Sequence, residues 1–369
     1  MAHAPQVLIV GAGPTGLAAG LFLTRAGVPV RIVDAAQQPT ATSNALAVNP
    51  RTLDLLAPTG VSARVLEQGQ PIAGIRIATD GRQVARLCPD WARIAPGRPM
   101  TILPQARTET LLAEAFTTLG GQVERGLALT GLAQDADRVT ASLSNGETVT
   151  VPLLLGADGA HSAVRHALDL DFPGEAMPIP WHLMDVDIEG APQDEAWIDF
   201  QRVGPVVVLP FSGGTFRLIG FGPDLLSRLP DGWRAGHVHW SSQFTISHRI
   251  VPTMAVGRVA LAGDAAHIHS PVGGRGMNLG IEDAFVFAAC AADVLKGQPD
   301  RLADYARLRR SVDADWVRTA RSLTRFVADD SLGARLLKRW GPPLAARVPG
   351  LVDRAIRRGT GLDHPVRIR

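Results

Sequence analysis

The chain has 369 residues, 46% of them hydrophobic and 20% charged, with a formal charge of only +2. That length suits two or three domains with a core large enough to stand without disulfides, and the near-neutral balance argues against a dedicated nucleic-acid binder. Its two cysteines, Cys88 and Cys290, form neither a Cys-x-x-Cys pair nor a zinc-ligand spacing, and no apolar run reaches the roughly 18 residues a membrane span needs. A cytoplasmic protein without integral membrane association is expected.

Residues 6–34 read as strand, tight turn, helix, strand. Gln6–Val10 is apolar and β-rich, Pro14–Ala26 carries Leu17, Leu21 and Leu23 at helical spacing with Gly27 as its stop, and Val30–Val33 is a second strand. A helix is predicted over 105–119 and short strands over 122–155, with Asn145-Gly146 as a hairpin turn. The buried strand Val151–Leu155 runs into Gly156-Ala-Asp-Gly159. Residues 70–100 and 177–250 differ: short β-like runs separated by Gly, Pro and Asp predict an antiparallel sheet. Helical patterns return at 275–296 and dominate 302–358.

The economical architecture is an α/β fold: a Rossmann-like βαβ domain assembled from 1–69, 101–176 and 251–300, an inserted β-sheet substrate domain from 70–100 and 177–250, and a C-terminal helical segment over 301–369. Residues 331–369 hold nine Lys/Arg and two Asp/Glu, a net of +7, with Leu332, Leu336, Trp340, Leu344 and Val348 at four-residue steps. Two readings exist: peripheral contact with anionic lipid, or a helical layer packed on the nucleotide domain with a solvated arginine face. Pro342 and Pro343 interrupt the segment and favour the second.

Gly11-Ala-Gly13-Pro14-Thr15-Gly16 is a complete G-x-G-x-x-G between a strand and a helix. Gly11 permits the tight turn, Gly13 lets backbone approach a pyrophosphate, and Gly16 allows close helix–strand packing. The helix N-terminus offers free N–H groups to the phosphates. Asp34, at the end of the second strand, is placed to accept hydrogen bonds from ribose hydroxyls. The motif alone does not separate FAD from NAD.

The segment 257–267 is a strand ending in Gly263-Asp264, followed by Pro271-Val-Gly273-Gly274-Arg275-Gly276-Met277-Asn278 and a long apolar helix. Asp264 falls at the carboxyl end of a strand, where α/β sheets bind ligands. The glycines let backbone come close to a flat ring, and the dipole of the helix that follows favours negative charge there.

With these motifs the chain resembles the FAD-dependent aromatic hydroxylases, the group A flavoprotein monooxygenases of the para-hydroxybenzoate hydroxylase fold. The resemblance rests on Gly11–Gly16, on Gly156-Ala-Asp158-Gly159-Ala-His161-Ser-Ala-Val-Arg165 and on Gly263-Asp264, spread in order along the chain. It implies FAD as cofactor and NADPH or NADH as co-substrate. It also implies hydroxylation of an aromatic or polycyclic small molecule by O2 through a C4a-hydroperoxyflavin. The match implies that Gly11, Gly13, Pro14, Thr15, Gly16, Asp34, Asn44, Gln105, Asp158, Gly263, Asp264, Gly276, Met277 and Asn278 hold FAD. Asp158, His161 and Arg165 would serve NAD(P)H, and the backbone of Pro271, Gly273 and Gly274 would surround flavin C4a. Arg275 stands where the family commonly has glutamine, and Ser43-Asn44-Ala45 where many members have Arg-Ala near the ring. Many relatives carry a further C-terminal thioredoxin-like domain, and none is expected here.

Substrate-side signals are weaker. Arg217, Phe211 and His239 are candidate pocket residues, and His182 is a candidate proton acceptor on a strand. His267 reads as a packing residue, and His267 with His269, two apart, does not make a metal site. The competing functions are a flavin reductase, dehydrogenase or halogenase on the same fold, and a non-enzymatic binding protein of the flavoprotein fold. A monomer or homodimer is expected.

Overall fold

A computed structural model describes residues 4–40, 45–348, 350–364, 366 and 368; Asn44 lies outside them. The first layer is a six-stranded sheet in which Val7–Val10 sits between Val30–Asp34 and Leu153–Gly156, and Leu153–Gly156 pairs in turn with Val259–Leu261. These four strands are parallel. Parallel strands are covered on both faces, which is why they are continuous apolar runs; Val7, Leu8, Ile9, Leu153, Leu154 and Leu155 are fully buried. The helix Pro14–Arg25 lies against one side, beside the long helix Gly276–Leu295. A small antiparallel sheet, Leu129–Gln134, Val139–Leu143 and Thr148–Val151, caps the segment that leads into Leu153–Gly156.

The second layer is an eight-stranded sheet whose centre is formed by the long strands Gly174–Glu189 and Arg234–Ile250 together with Thr215–Phe221 and Gly204–Ser212. It is antiparallel with one exception. Gly74–Thr79, arriving from the earlier of the two β-rich stretches, pairs parallel to Glu195–Gln201, and its partner Arg82–Leu87 forms the edge. A strand delivered by a separate pass of the chain is not tied to a hairpin, so its direction is free of the alternation that turns impose. The other edge is the two-residue strand His267–Ile268, paired with Arg249 and Ile250. The sheet is thus joined to the turn that follows Gly263-Asp264.

The predicted helical stretch 302–358 is three helices, Arg301–Ala328, Leu332–Ala346 and Leu351–Gly359. Arg301–Ala328 docks on the nucleotide layer: the Tyr305 hydroxyl donates to the carbonyl of Leu261 at 2.7 Å, and its ring meets Phe287 edge-on. Leu332–Ala346 instead lies on the β-sheet domain, against Arg82–Leu87 and Gly74–Thr79. The expected layer over the nucleotide domain is not what this helix forms.

Candidate functional site

Three glycine-containing turns leave the carboxyl ends of three adjacent parallel strands and meet. The Gly11 amide donates to Val33, the Ala157 amide to Val10 and the Ala262 amide to Gly156, so each turn is anchored on its neighbour's strand. Gly11 has φ +106°, and a Cβ there would lie 2.3 Å from the Ala157 carbonyl oxygen. A Cβ on Gly16 would lie 1.9 Å from the Gly11 carbonyl, which fixes how closely the helix approaches the strand. The Thr15 side chain fills the gap between Gly263 and Gly280, with contacts that a Cβ on either glycine would close to 2.6 and 2.2 Å. Residues from 146 (Gly11 and Ala157) to 265 (Thr15 and Gly280) positions apart in sequence therefore share one cleft. Gly13, by contrast, has nothing within 4 Å of a built Cβ; it caps the helix and faces open space, the arrangement a phosphate needs.

The acids fall round this cleft. The Asp34 carboxylate accepts from the amides of Ala12 at 2.5 Å and Ala36 at 2.7 Å, holding the first turn. Asp158 accepts from the Ser162 hydroxyl at 2.6 Å and the Val164 amide at 3.1 Å, so it braces the start of the short helix Ala163–Ala167. Asp264 is exposed to the cleft between the buried residues Gly263 and Ala265. Protein nevertheless surrounds it deeply enough that lost hydration raises its pKa, with His267 opposing. Exposure together with desolvation describes the floor of a deep cleft, not an outer surface.

Other predicted residues act as braces. Gln105 accepts from the Ala45 amide at 3.0 Å and donates to Glu109 at 2.8 Å. The Asn278 carboxamide accepts from the Asn49 amide and Thr52 hydroxyl and donates to the carbonyls of Ala47 and Gly274. Its side chain thus ties the Pro271–Gly274 turn to the strand entering at Ala47. Pro271, Gly273 and Gly274 are exposed along the cleft, Gly276 is half-buried, and Met277 is buried. Gly273 and Gly274 take positive φ, and a Cβ on Gly273 would strike the Trp316 ring. His161 is exposed. Arg165 points inward instead: it donates to Ala160 and Ala265, bridging the Asp158 and Asp264 turns, and stacks 4.1 Å from the centroid of the Phe172 ring.

Side chains alternate faces along a strand, and this sorts the substrate-side candidates. Arg217 and Asp185 form a buried bidentate pair, 2.7 and 2.8 Å, with Phe211 and Trp240 against the guanidinium. Phe211 and the register neighbour Leu209 also touch Leu46, Ile72 and Ile102, so this face looks toward the nucleotide domain. His182 lies on the other face, with Met184, which packs among Val186, Phe216 and Leu218. His239 is half-exposed and bonds Asp187 at 2.8 Å; its neighbour Trp240 is the residue beside Arg217. The structure brings Arg217 and Phe211 together and puts His182 on the other face, while His239 bonds Asp187, two residues along the same strand from Asp185.

The comparisons with known proteins fall on the same features. The model of the FAD binding domain family matches residues 4–221 and 229–320. The chain belongs to the FAD-dependent aromatic hydroxylase family. It is 36% identical to 6-methylpretetramide 4-monooxygenase of Streptomyces rimosus over 89% of its length and 63% of that protein's. To rifampicin monooxygenase of Streptomyces venezuelae it is 34% identical, over 81% of this chain and 66% of that one. The chain thus spans slightly less than two thirds of these two relatives. Among solved structures, OxyS anhydrotetracycline hydroxylase of Streptomyces rimosus superposes with a TM-score of 0.80 at 28% identity, covering 98% of this chain and 77% of that one. The cleft fits FAD: an open Gly13 turn at a helix N-terminus for the pyrophosphate, an acid beyond the second strand, and a desolvated acid at the floor.

Beneath these turns lies a charge cluster that the sequence did not reveal. Asp283, fully buried, accepts from the Gly263 amide at 2.9 Å, from His267 Nε2 at 2.7 Å and from Arg309 Nε at 2.6 Å. Arg309 also reaches Asp313 at 3.0 Å and Glu282 at 3.3 Å, and Glu282 meets Arg275 and His364. Burial opposes a charge on His267, yet the carboxylates of Asp313 and Asp283 outweigh it and push its pKa up to about 9. Burial likewise works against ionised Asp283, but Arg309 and His267 hold it below the usual carboxylate range; for Asp313 burial prevails and the pKa rises. His267, Asp283 and Asp313 are close enough to share a metal ion, but the Arg309 guanidinium already occupies their midst. Arg275, in place of the family's glutamine, lies 4.6 Å from the centroid of the Trp316 ring and donates to the carbonyl of Arg358, so it latches the C-terminal helices to the flavin loop. Arg309 and Asp313 lie on a separate helix at i, i+4, which reads in sequence as an ordinary surface pair.

Proposed function

We propose that the chain is an FAD- and NAD(P)H-dependent monooxygenase that places one oxygen atom of O2 on an aromatic or polycyclic small molecule. The observation that carries this reading is the meeting of three nucleotide-binding turns with an aromatic-lined sheet face at one cleft. FAD, when bound, takes two electrons from a nicotinamide and passes them to O2. In this reading Gly11, Gly13, Pro14, Thr15 and Gly16 receive the pyrophosphate, Asp34 the adenosine ribose, and Asp158 and Asp264 the ribityl side. The backbone of Pro271, Gly273 and Gly274 lines the ring. The N-terminus of Gly276–Leu295 directs its dipole at the pyrimidine edge and favours negative charge there.

Arg217, buried and neutralised by Asp185, positions Phe211 and Trp240 as an aromatic wall for the substrate. Such a wall suits a planar aromatic molecule. Arg165 holds the two acidic turns together, and the nicotinamide nucleotide meets the outer rim near Asp158 and His161. Two free cysteines suit a reducing, cytoplasmic compartment.

The test begins with the purified chain, which should release FAD on denaturation. Oxidation of NADH and of NADPH is then followed with panels of phenols, aromatic acids and polyketides under 18O2. Substrate-stimulated oxidation with one labelled oxygen in the product supports the reading. Oxidised product without label would make the chain a dehydrogenase, and bound FAD with no nicotinamide oxidation across the panel would overturn the assignment.

A further inference from the structure

The helix Leu332–Ala346 is inside out. Its small residue Ala334 and its one lysine, Lys338, face the protein, while Leu336, Leu337, Trp340 and Leu344 face water. Lys338 is 7% exposed; its ammonium donates to the carbonyls of Val327 and Asp329 and sits 5.5 Å from the ring centroids of Phe200 and Phe326. Trp340 is 58% exposed and Leu337 57%. Among the described residues, seven of the eleven exposed large apolar side chains fall between Leu332 and Leu351. A concentration of this kind marks an interaction surface. At 100° per residue Leu332, Leu336, Trp340, Leu344 and Leu337 span one continuous arc, and Lys338 lies opposite it, so the lysine anchor holds the apolar face outward.

Charge identifies what covers it. The helix contains Arg335, Lys338 and Arg339 and no acid, and exposed Arg347 follows it. Arg339 and Arg335 border the apolar arc, with Arg339 5.6 Å from the Trp340 ring centroid. Of the two acids between 331 and 369, Asp353 is already taken by Arg93. A second copy of the chain laid on this face would bring the same arginines against each other. An anionic lipid surface complements all of it: leucines and tryptophan enter the boundary of the acyl chains, and arginines stay among the phosphates. No described helix is long and apolar enough to cross a membrane, so the contact is peripheral. We propose that Leu332–Ala346, with the segment running to Leu351, is a docking face for anionic membrane.

The experiment uses the FAD-loaded full chain and sucrose-loaded vesicles of phosphatidylcholine, with or without about a third phosphatidylglycerol. Arg335 already faces Asp330, so Arg339 and Arg347 near the surface predict roughly thirtyfold tighter partition onto the anionic vesicles at low salt. Leu337→Glu with Trp340→Glu should abolish sedimentation, and Arg339→Glu with Arg347→Glu should remove the preference for anionic lipid. Both pairs are exposed, so FAD content stays unchanged and reports an intact fold. No sedimentation of the parent chain, or equal partition onto both vesicle types, overturns the proposal. So does concentration-dependent dimerisation, seen by light scattering and lost in Leu337→Glu with Trp340→Glu, in a chain that ignores vesicles.

Discussion

Arg309→Met removes the one guanidinium that touches Asp283, Asp313 and Glu282 together. Arg309 is 2% exposed, as are its partners or nearly so. Glu282 would keep Arg275 and His364, but among the described residues Asp283 and Asp313 would be left with His267 as their only cationic partner. Breaking a buried pair from one side costs about 3–5 kcal/mol, because the remaining charge is desolvated without compensation. That is a large fraction of the ~5–15 kcal/mol typical of a folded protein. The loss should reach the cofactor as well, since Asp283 also holds the Gly263 amide beside Asp264. Urea unfolding followed by tryptophan fluorescence at pH 7 should show a midpoint lowered with unchanged slope. FAD affinity, from quenching of flavin fluorescence, should fall in parallel. Arg309→Lys should recover only part of either, because an ammonium cannot present the planar fork that reaches three carboxylates. A cost below about 1 kcal/mol, or a Lys variant indistinguishable from the parent, would refute the idea that this cation organises the cluster.

The pKa of His267 is raised to about 9 from an ordinary value near 6.5, so its contribution is complete below about pH 6.5 and is lost as pH climbs to about 9; stability should fall across that window, and His267→Gln should flatten the fall. His269 runs the other way: burial depresses it to about 3, so its contribution is present above about pH 6.5 and fades as the pH drops toward 3, checked by the acid limb of the same profile in His269→Gln. Gly13→Ala should leave apoprotein stability unchanged yet weaken FAD about tenfold or more, since its Cβ would enter space the protein leaves open; Gly16→Ala should destabilise even the apoprotein, because its Cβ would collide with the Gly11 carbonyl. Calorimetry with and without FAD separates the two. Arg217→Lys retains charge beside Asp185 but not the bidentate fork, and should raise KM for substrate while FAD content holds; an unchanged KM would remove Arg217 from the substrate wall.

The nucleotide-binding half of this protein was legible in the amino-acid order because its signals are local. A strand, a glycine turn and a helix lie within some twenty residues, and Gly16 is required by a contact only five positions away, with the Gly11 carbonyl. Binary pattern and turn chemistry decide such units, and the order of the three motifs told which cofactor they serve. What tertiary structure alone decided depends on which face or which distant partner a side chain meets. Period-two alternation put His182 and Arg217 on opposite faces of one sheet, which needs the register of strands some thirty residues apart. Asp283, Arg309 and Asp313 became one cluster only when two helices packed. Lys338, whose charge in sequence argues for an outward face, turns inward because the carbonyls at the end of the preceding helix and two aromatic rings give it partners there. Its leucines then face out, an orientation no local preference favours and only the surrounding contacts impose.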